Sequence, residues 1–203
     1  MPGTRAAEAE RREQVLRAAI QVAMRRGLQA LTIRDVALRA ELSPGLVLFH
    51  FGSKEQLVLA LLDQVLATTA VLRIGPEIAA IEDPLQRLLA LLRQEMARLS
   101  REPGQIRLFF DFWSAGMWNR RIRARMQREL DRYREAFRPM AAEVLAAQPE
   151  RFRGVTAEGL AAVAVSFIKG CAVQSMIEPH LDIGEFLAAV EGLIEQHAAE
   201  GAR

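Results

Sequence analysis

Apolar positions recur at intervals of three and four along nearly the whole chain, and the strict alternation of a half-buried strand is essentially missing. Val15, Ala18, Ala19, Val22 and Ala23 share one face of a helix predicted from about 6 to 26. Gly27-Leu28 ends it, with a residue that tolerates φ > 0 and an apolar residue to fold back on the last turn. The next stretch, "TIRDVALRAELSPGLVLFHFGSKEQL" (32–57), is cut short three times. Thr32 reads as the N-cap of a second helix, with Asp35 in its first turn. Ser43 opens a third, with Pro44 at the first helical position. Ser53, with Gln56 three residues on, opens a fourth that runs from 53 to about 73, before Gly75-Pro76. Longer helices are predicted at 84–101, 105–118, 120–147, 157–177 and 182–199, punctuated by Asp83-Pro84, Pro103-Gly104, Asn119, Pro149 with Gly154, and Pro179. The pattern predicts an all-α chain of about nine helices.

Composition narrows the class. The chain has 203 residues, 51% of them hydrophobic, enough for one good core or two small ones. The single Cys171 excludes an intramolecular disulfide and is expected to be a small buried apolar residue. The best apolar run, Leu160 to Ile168, is half of the ~18 residues that cross a bilayer, and the first residues lack the apolar stretch of a signal peptide. A cytoplasmic protein with no membrane partner is therefore expected. Neither Cys171 nor His50, His180 and His197 show metal-ligand spacing, and no Gly-rich phosphate loop or nucleophile elbow occurs. No catalytic residue, metal or cofactor is expected, and an enzyme is not.

The net charge of +2 looks bland until it is divided. Residues 1–54 hold nine Lys/Arg against five Asp/Glu, and the remainder eighteen against twenty. A basic small end suits an anionic partner, although a solvated face carries the same excess.

Two short helices joined by a tight turn and braced on both sides describe a helix-turn-helix unit. Its second helix, Ser43 to His50, is of a size to enter a major groove about 12 Å wide. Ile33, Val36 and Ala37 with Val47 and Phe51 are expected to form a shared core, leaving Arg34, Pro44, Gly45, Leu46 and Phe49 outward. A helical bundle that binds nothing has the same pattern.

The residues in order are Thr32, Asp35-Val36-Ala37, Ser43-Pro44-Gly45-Leu46-Val47 and His50-Phe51-Gly52-Ser53-Lys54-Glu55-Gln56-Leu57. This stretch, about a quarter of the chain, resembles the DNA-binding signature of TetR-family transcriptional repressors. The resemblance implies a DNA-binding domain over 1–54, a connecting helix four, and a ligand-binding and dimerisation domain over 55–203. It implies that Thr32, His50 and Lys54 hold the phosphate backbone while Arg34, Pro44, Gly45, Leu46 and Phe49 face bases. The helix N-termini at Thr32, Ser43 and Ser53 add oriented N–H groups for phosphate. Arg34 suits guanine, and Leu46 and Phe49 suit thymine methyls. Arg5, Arg11 and Arg12 are expected to form a loose basic arm. Two positions depart from the family: Leu48 stands where a tyrosine is common, and Glu41 stands where the turn usually has glycine. At φ > 0 Glu41 would carry about 1 kcal/mol of strain.

The same resemblance implies a homodimer that holds a palindromic double-stranded operator and is released by a small-molecule effector. The alternative is a ligand-binding helical dimer of the same fold with impaired or absent DNA binding. Gly159, Ala162, Ser166, Gly170 and Val173 form a narrow small-residue face suited to close helix pairing, and Leu187, Val190, Leu193, Ile194 and His197 form a stripe on the last helix. Ordinary intrachain packing uses the same patterns. "LFFDFWSAGMWNRR" holds five of the eleven Phe and Trp residues. Phe109, Phe112, Trp113, Met117 and Trp118 are candidates to line an effector cavity with Tyr133, Phe137, Phe167 and Met176; simple core is the other reading. This run and Ile168-Lys169-Gly170 loosely resemble the regulatory domain of choline- and betaine-responsive repressors. The effector itself is left open, since aromatics cage a quaternary ammonium or hold any apolar molecule. Asp111 is either the pocket's polar anchor or solvated. The arginines between 120 and 138, interleaved with Glu129, Asp131 and Glu135, read as a solvated helix with intrahelical pairs, with an entrance for an acidic ligand or a contact to the head as the other readings.

Overall fold

The structure is a computed structural model. It describes the backbone of residues 2–69, 72–101, 103–178 and 180–200, and the side chains in these spans except those of 2–6, 69, 99, 100 and 193–200. Among the described residues there are ten helices and no strand. They are α1 (Pro2–Arg26), α2 (Ile33–Arg39), α3 (Pro44–Phe51), α4 (Lys54–Thr69), α5 (Pro76–Ala79), α6 (Pro84–Arg101), α7 (Pro103–Gly116), α8 (Arg120–Ala147), α9 (Ala157–Ser175) and α10 (Ile183–Glu200). The addition to the expected set is α5, a single turn opened by Pro76 after an extended Gly75. Four residues are too few for a helical period to register. The first helix also starts earlier than expected, at Pro2.

The chain packs as two units, Met1–Val71 with Gly104–Glu129, and Leu72–Pro103 with Leu130–Arg203. The first contains the 1–54 segment but extends beyond it. Val15 and Ala19 of α1, Val36 of α2 and Val47 of α3 are closed over by Leu57 and Leu61 of α4. Leu108, Phe109 and Phe112 of α7, with Ile122 and Met126 from the first turns of α8, complete the same core. A head of some fifty residues has too little interior to bury its apolar faces alone, and these helices supply the missing cover.

Inside this unit the chain turns sharply twice. Between α3 and α4 it bends by 69°. Gly52 makes that bend at φ +75°, and a Cβ there would meet nothing within 4 Å, so the requirement is conformational. Between α2 and α3, Glu41 takes φ 56°. Leu42 N–H donates to Ala37 O at 2.9 Å and Glu41 N–H to Leu38 O at 3.2 Å. This pair of bonds closes a helix in the manner usually reserved for glycine, with Leu42 as the apolar residue packed behind it.

In the second unit α6 packs on α9 and on α10. Averaged over 18 residues, α9 is apolar enough to cross a bilayer, although its uninterrupted apolar run is short. Ala161, Ala164, Val165 and Ile168 of α9 are buried, as on the core helix of a globular unit.

Candidate nucleic-acid interface

Each of the three expected helix starts carries its capping bond. Thr32 Oγ1 accepts from Asp35 N at 3.1 Å, Ser43 Oγ from Leu46 N at 3.2 Å, and Ser53 Oγ from Gln56 N at 3.2 Å. These caps fix where α2, α3 and α4 begin, and so where their first N–H groups point. Thr32 also donates its hydroxyl to Asp35 Oδ2 at 2.7 Å, and Arg26 reaches Asp35 Oδ1 at 2.7 Å. The Thr32 bond, followed by the charge of Arg26, holds the Asp35 carboxyl below its ordinary value.

α3 splits its residues by depth. Val47 and Phe51 are buried against the core, Leu46 and His50 are half-buried, and Pro44, Gly45 and Leu48 are exposed. Phe49, 77% exposed, is a large apolar ring standing in solvent. A Cβ at Gly45 would meet only Ser43 Oγ, at 3.9 Å, so nothing in the chain blocks approach to that backbone. Arg34 and Lys54, on the starts of α2 and α4, are exposed. The candidate surface residues therefore lie at the ends of the two short helices α2 and α3 and at the start of α4.

The expected loose arm is not one. α1 is helical through Arg11 and Arg12. Arg12 donates to His50 O and lies 4.4 Å from the Phe51 ring centroid, while Arg11 bonds Gln14 at 2.7 Å. Arg12 thus braces the end of α3. The side chain of Arg5 lies outside the described residues.

Sequence reasoning missed the groups that hold α1. Asp111 on α7 accepts the N–H of Leu28 at 3.0 Å, and Arg107 donates to Met24 O. Asp111 is thus neither a pocket anchor nor simply solvated; it ties the residue after Gly27 to α7. The arginine-rich helix divides its labour. Arg121 reaches Glu55 at 3.1 Å and Arg125 reaches Asp63 at 2.9 Å, both on α4, while Arg134 and Arg138 pair within α8 with Asp131 and Glu135.

Residues 15–61 match the family model for bacterial regulatory proteins of the tetR family, and residues 84–199 match that for the BetI-type transcriptional repressor C-terminal domain. The chain belongs to the TetR family, with a BetI-type C-terminal domain. Over 126 residues it is 32% identical to the HTH-type transcriptional regulator BetI of Stenotrophomonas maltophilia, covering 61% of this chain and 63% of that relative, just under two thirds of its length. The BetI of Burkholderia ambifaria is 29% identical over 153 residues, 75% of this chain and 77% of that one. A transcriptional regulator from Saccharomonospora viridis, solved in complex with choline, superposes with a TM-score of 0.72 at 22% identity, over 92% of this chain and 96% of that one. A TetR regulator from Haloarcula marismortui gives 0.71 at 18% identity, over 95% and 98%. At such identities these structures establish likeness of fold.

Of the nine residues expected around an effector cavity of this TetR-family chain, five lie in the first unit and four in the second. Phe109 and Phe112 are consumed by the core of the first unit. Trp113 and Met117 are exposed, and Trp118 is 89% exposed. Tyr133 and Phe137 are buried in the second unit, ring to ring at 5.3 Å, while Phe167 and Met176 are half-buried. One helical spacing served several destinations. Beside Tyr133 lies a charged cluster that sequence reading did not assemble. Glu95, fully buried, accepts from Tyr133 Oη at 2.8 Å and pairs with Arg98 at 2.6 Å, and Lys169 Nζ sits 5.0 Å from the Tyr133 ring centroid. Burial, then the Glu95 charge, pushes the Tyr133 phenol far up. Burial works against the Arg98 guanidinium, but the Glu95 carboxylate outweighs it and holds Arg98 more firmly protonated.

The small-residue face of α9 is open. Gly159, Ser166 and Val173 are exposed, and Ala162 and Gly170 half-buried. Leu187 of α10 is a correction: it is buried within the chain, so it packs the protomer rather than a partner. Val190 is half-buried, and the side chains of Leu193, Ile194 and His197 lie outside the described residues.

Proposed function

We propose that this chain is a cytoplasmic DNA-binding repressor that holds a palindromic operator as a homodimer and lets go when a small molecule occupies its C-terminal domain. The observation that carries the reading is the exposure of Pro44, Gly45 and Phe49 on a helix whose Val47 and Phe51 are locked into the core. Such a helix is rigidly held yet presents its starting turn outward, the geometry with which a recognition helix enters a major groove. Thr32, Ser43, His50 and Lys54, with the capped helix starts, would grip phosphates, and Arg34, Gly45, Leu46 and Phe49 would meet base edges. A single short helix gives little affinity. Two are needed about 34–36 Å apart, and the open face of α9 suits the pairing of two copies. The effector would act by a population shift, binding better to a state whose two recognition helices are wrongly spaced. The choline of the Saccharomonospora structure is one candidate effector.

Titration of operator and random duplexes against salt tests the reading. Affinity should fall with a log–log slope of about −0.9 per phosphate contact. Arg34→Ala should reduce preference for the operator, whereas Lys54→Ala should weaken all duplexes alike. A flat salt response, or wild-type behaviour of both variants, overturns it.

A further inference from the structure

α1 grips both helices of the helix-turn-helix by their carbonyl ends. Arg12 and Gln14 stand one turn before Val15 and Ala18, so they continue the stripe that α1 turns to the core, yet both are polar. Gln14 Nε2 donates to the O of Ala40, the C-cap of α2, at 2.7 Å. Arg12 donates to His50 O in the last turn of α3. Both acceptors sit where a helix leaves its carbonyls without an intrahelical partner. The N-caps of the motif act within one turn, whereas these two bonds cross 26 and 38 residues and tie two helices to one rod. Each donor is itself held. Arg11 donates to Gln14 Oε1 at 2.7 Å, which fixes the amide with its nitrogen toward Ala40, and the Arg12 guanidinium lies 4.4 Å from the Phe51 ring centroid.

We propose that Arg12 and Gln14 are positioning residues for sequence recognition, which hold α3 at its working angle to α2 and touch no base or phosphate themselves. The apolar core of Val15, Val36 and Val47 attracts without direction and tolerates a small slide or rotation of α3. Two hydrogen bonds from one helix do not, because each is lost when its carbonyl turns away. The Arg12 cation also faces the negative end of the α3 dipole, which holds it there. Random duplex is gripped through its phosphates and survives a loosened α3, whereas base edges are read only by side chains placed within hydrogen-bond or contact reach. Loss of the brace therefore removes discrimination before it removes affinity. This role rests on the repressor reading.

The wild-type full chain first selects a preferred duplex from a pool of random sequence. That duplex and a scrambled copy are then titrated against salt with wild type, Arg12→Ala, Arg12→Lys and Gln14→Met. Arg12→Ala and Gln14→Met should each lower the ratio of the two affinities by about fivefold or more, while the scrambled duplex keeps its affinity within about twofold and its salt slope. Arg12→Lys keeps the charge without the planar fork and should fall between wild type and Arg12→Ala. A slope shallower by about 0.9 in Arg12→Ala, with both duplexes weakened alike, would make Arg12 a phosphate contact and overturn the proposal. Equal weakening of both duplexes at an unchanged slope would mark a head that is merely less folded, and overturns it too. So does an unchanged ratio in either Arg12→Ala or Gln14→Met. A pool that yields no preferred duplex overturns the repressor reading itself, and the positioning role with it.

Discussion

Glu41→Gly should make the protein more stable, by an amount the backbone defines. Glu41 sits at φ 56°, and its side chain is exposed, so the substitution removes no buried contact. Its N–H still reaches Leu38 O and the following N–H still reaches Ala37 O, bonds that glycine makes as readily. An L-residue in this conformation carries about 1–2 kcal/mol that glycine does not. Against that, glycine loosens the unfolded chain by about 0.4–1 kcal/mol. The difference is a gain of about 0.5–1 kcal/mol. Urea unfolding at one fixed protein concentration reads it as a higher midpoint with an unchanged slope. Glu41→Ala is the control, since it removes the carboxylate but keeps the strained φ, and should stay within about 0.5 kcal/mol of wild type. A lower midpoint for Glu41→Gly, or an equal rise in both variants, would refute backbone strain as the cause.

Three further outcomes are open to measurement. Asp111→Ala removes the acceptor of the Leu28 N–H and should cost about 1–3 kcal/mol in urea unfolding, whereas Asp111→Asn keeps an acceptor and should lose less; equal losses would contradict the role given to that bond. Tyr133→Phe leaves the buried Glu95 one donor short and should cost a similar ~1–3 kcal/mol, and an unchanged midpoint would mean that Arg98 alone satisfies the carboxylate. Asp35 titrates below its ordinary value when folded, so its contribution to stability is whole above 3.8 and is lost as pH falls below that through the folded value. Asp35→Asn should therefore flatten the acid limb of stability against pH, and an identical limb in both proteins would remove Thr32 and Arg26 as the cause.

What the sequence disclosed was whatever acts over a few residues. The caps at Thr32, Ser43 and Ser53 each bond a donor three residues on, so their chemistry is complete within one turn. The inward and outward positions of α3 follow from the same short period. Phe109 and Phe112 show where this stops. Their spacing marks a buried face, but the face does not say which core receives it, and the first unit takes both. Asp111 and Leu28 stand far apart in the chain, and nothing near either one announces the other. Glu95, Tyr133 and Lys169 lie on three different helices, so each in isolation reads as an ordinary polar position. Leu187 belonged to a stripe that two partners fit equally well, and packing within the chain claimed it.

The core that α1 to α4 begin is finished by α7 and the start of α8, after the chain has passed through the second unit. A chimera made by one crossover after residue 54 would therefore strip the transplanted reading end of Leu108, Phe109 and Phe112 and bare the leucines they cover. Exchange of DNA specificity between relatives calls for recombination at two seams, or for recipients whose α7 and first turns of α8 already complement the newcomer. Lineages that trade only the first fifty residues should consequently carry matching changes in the stretch from 104 to 129.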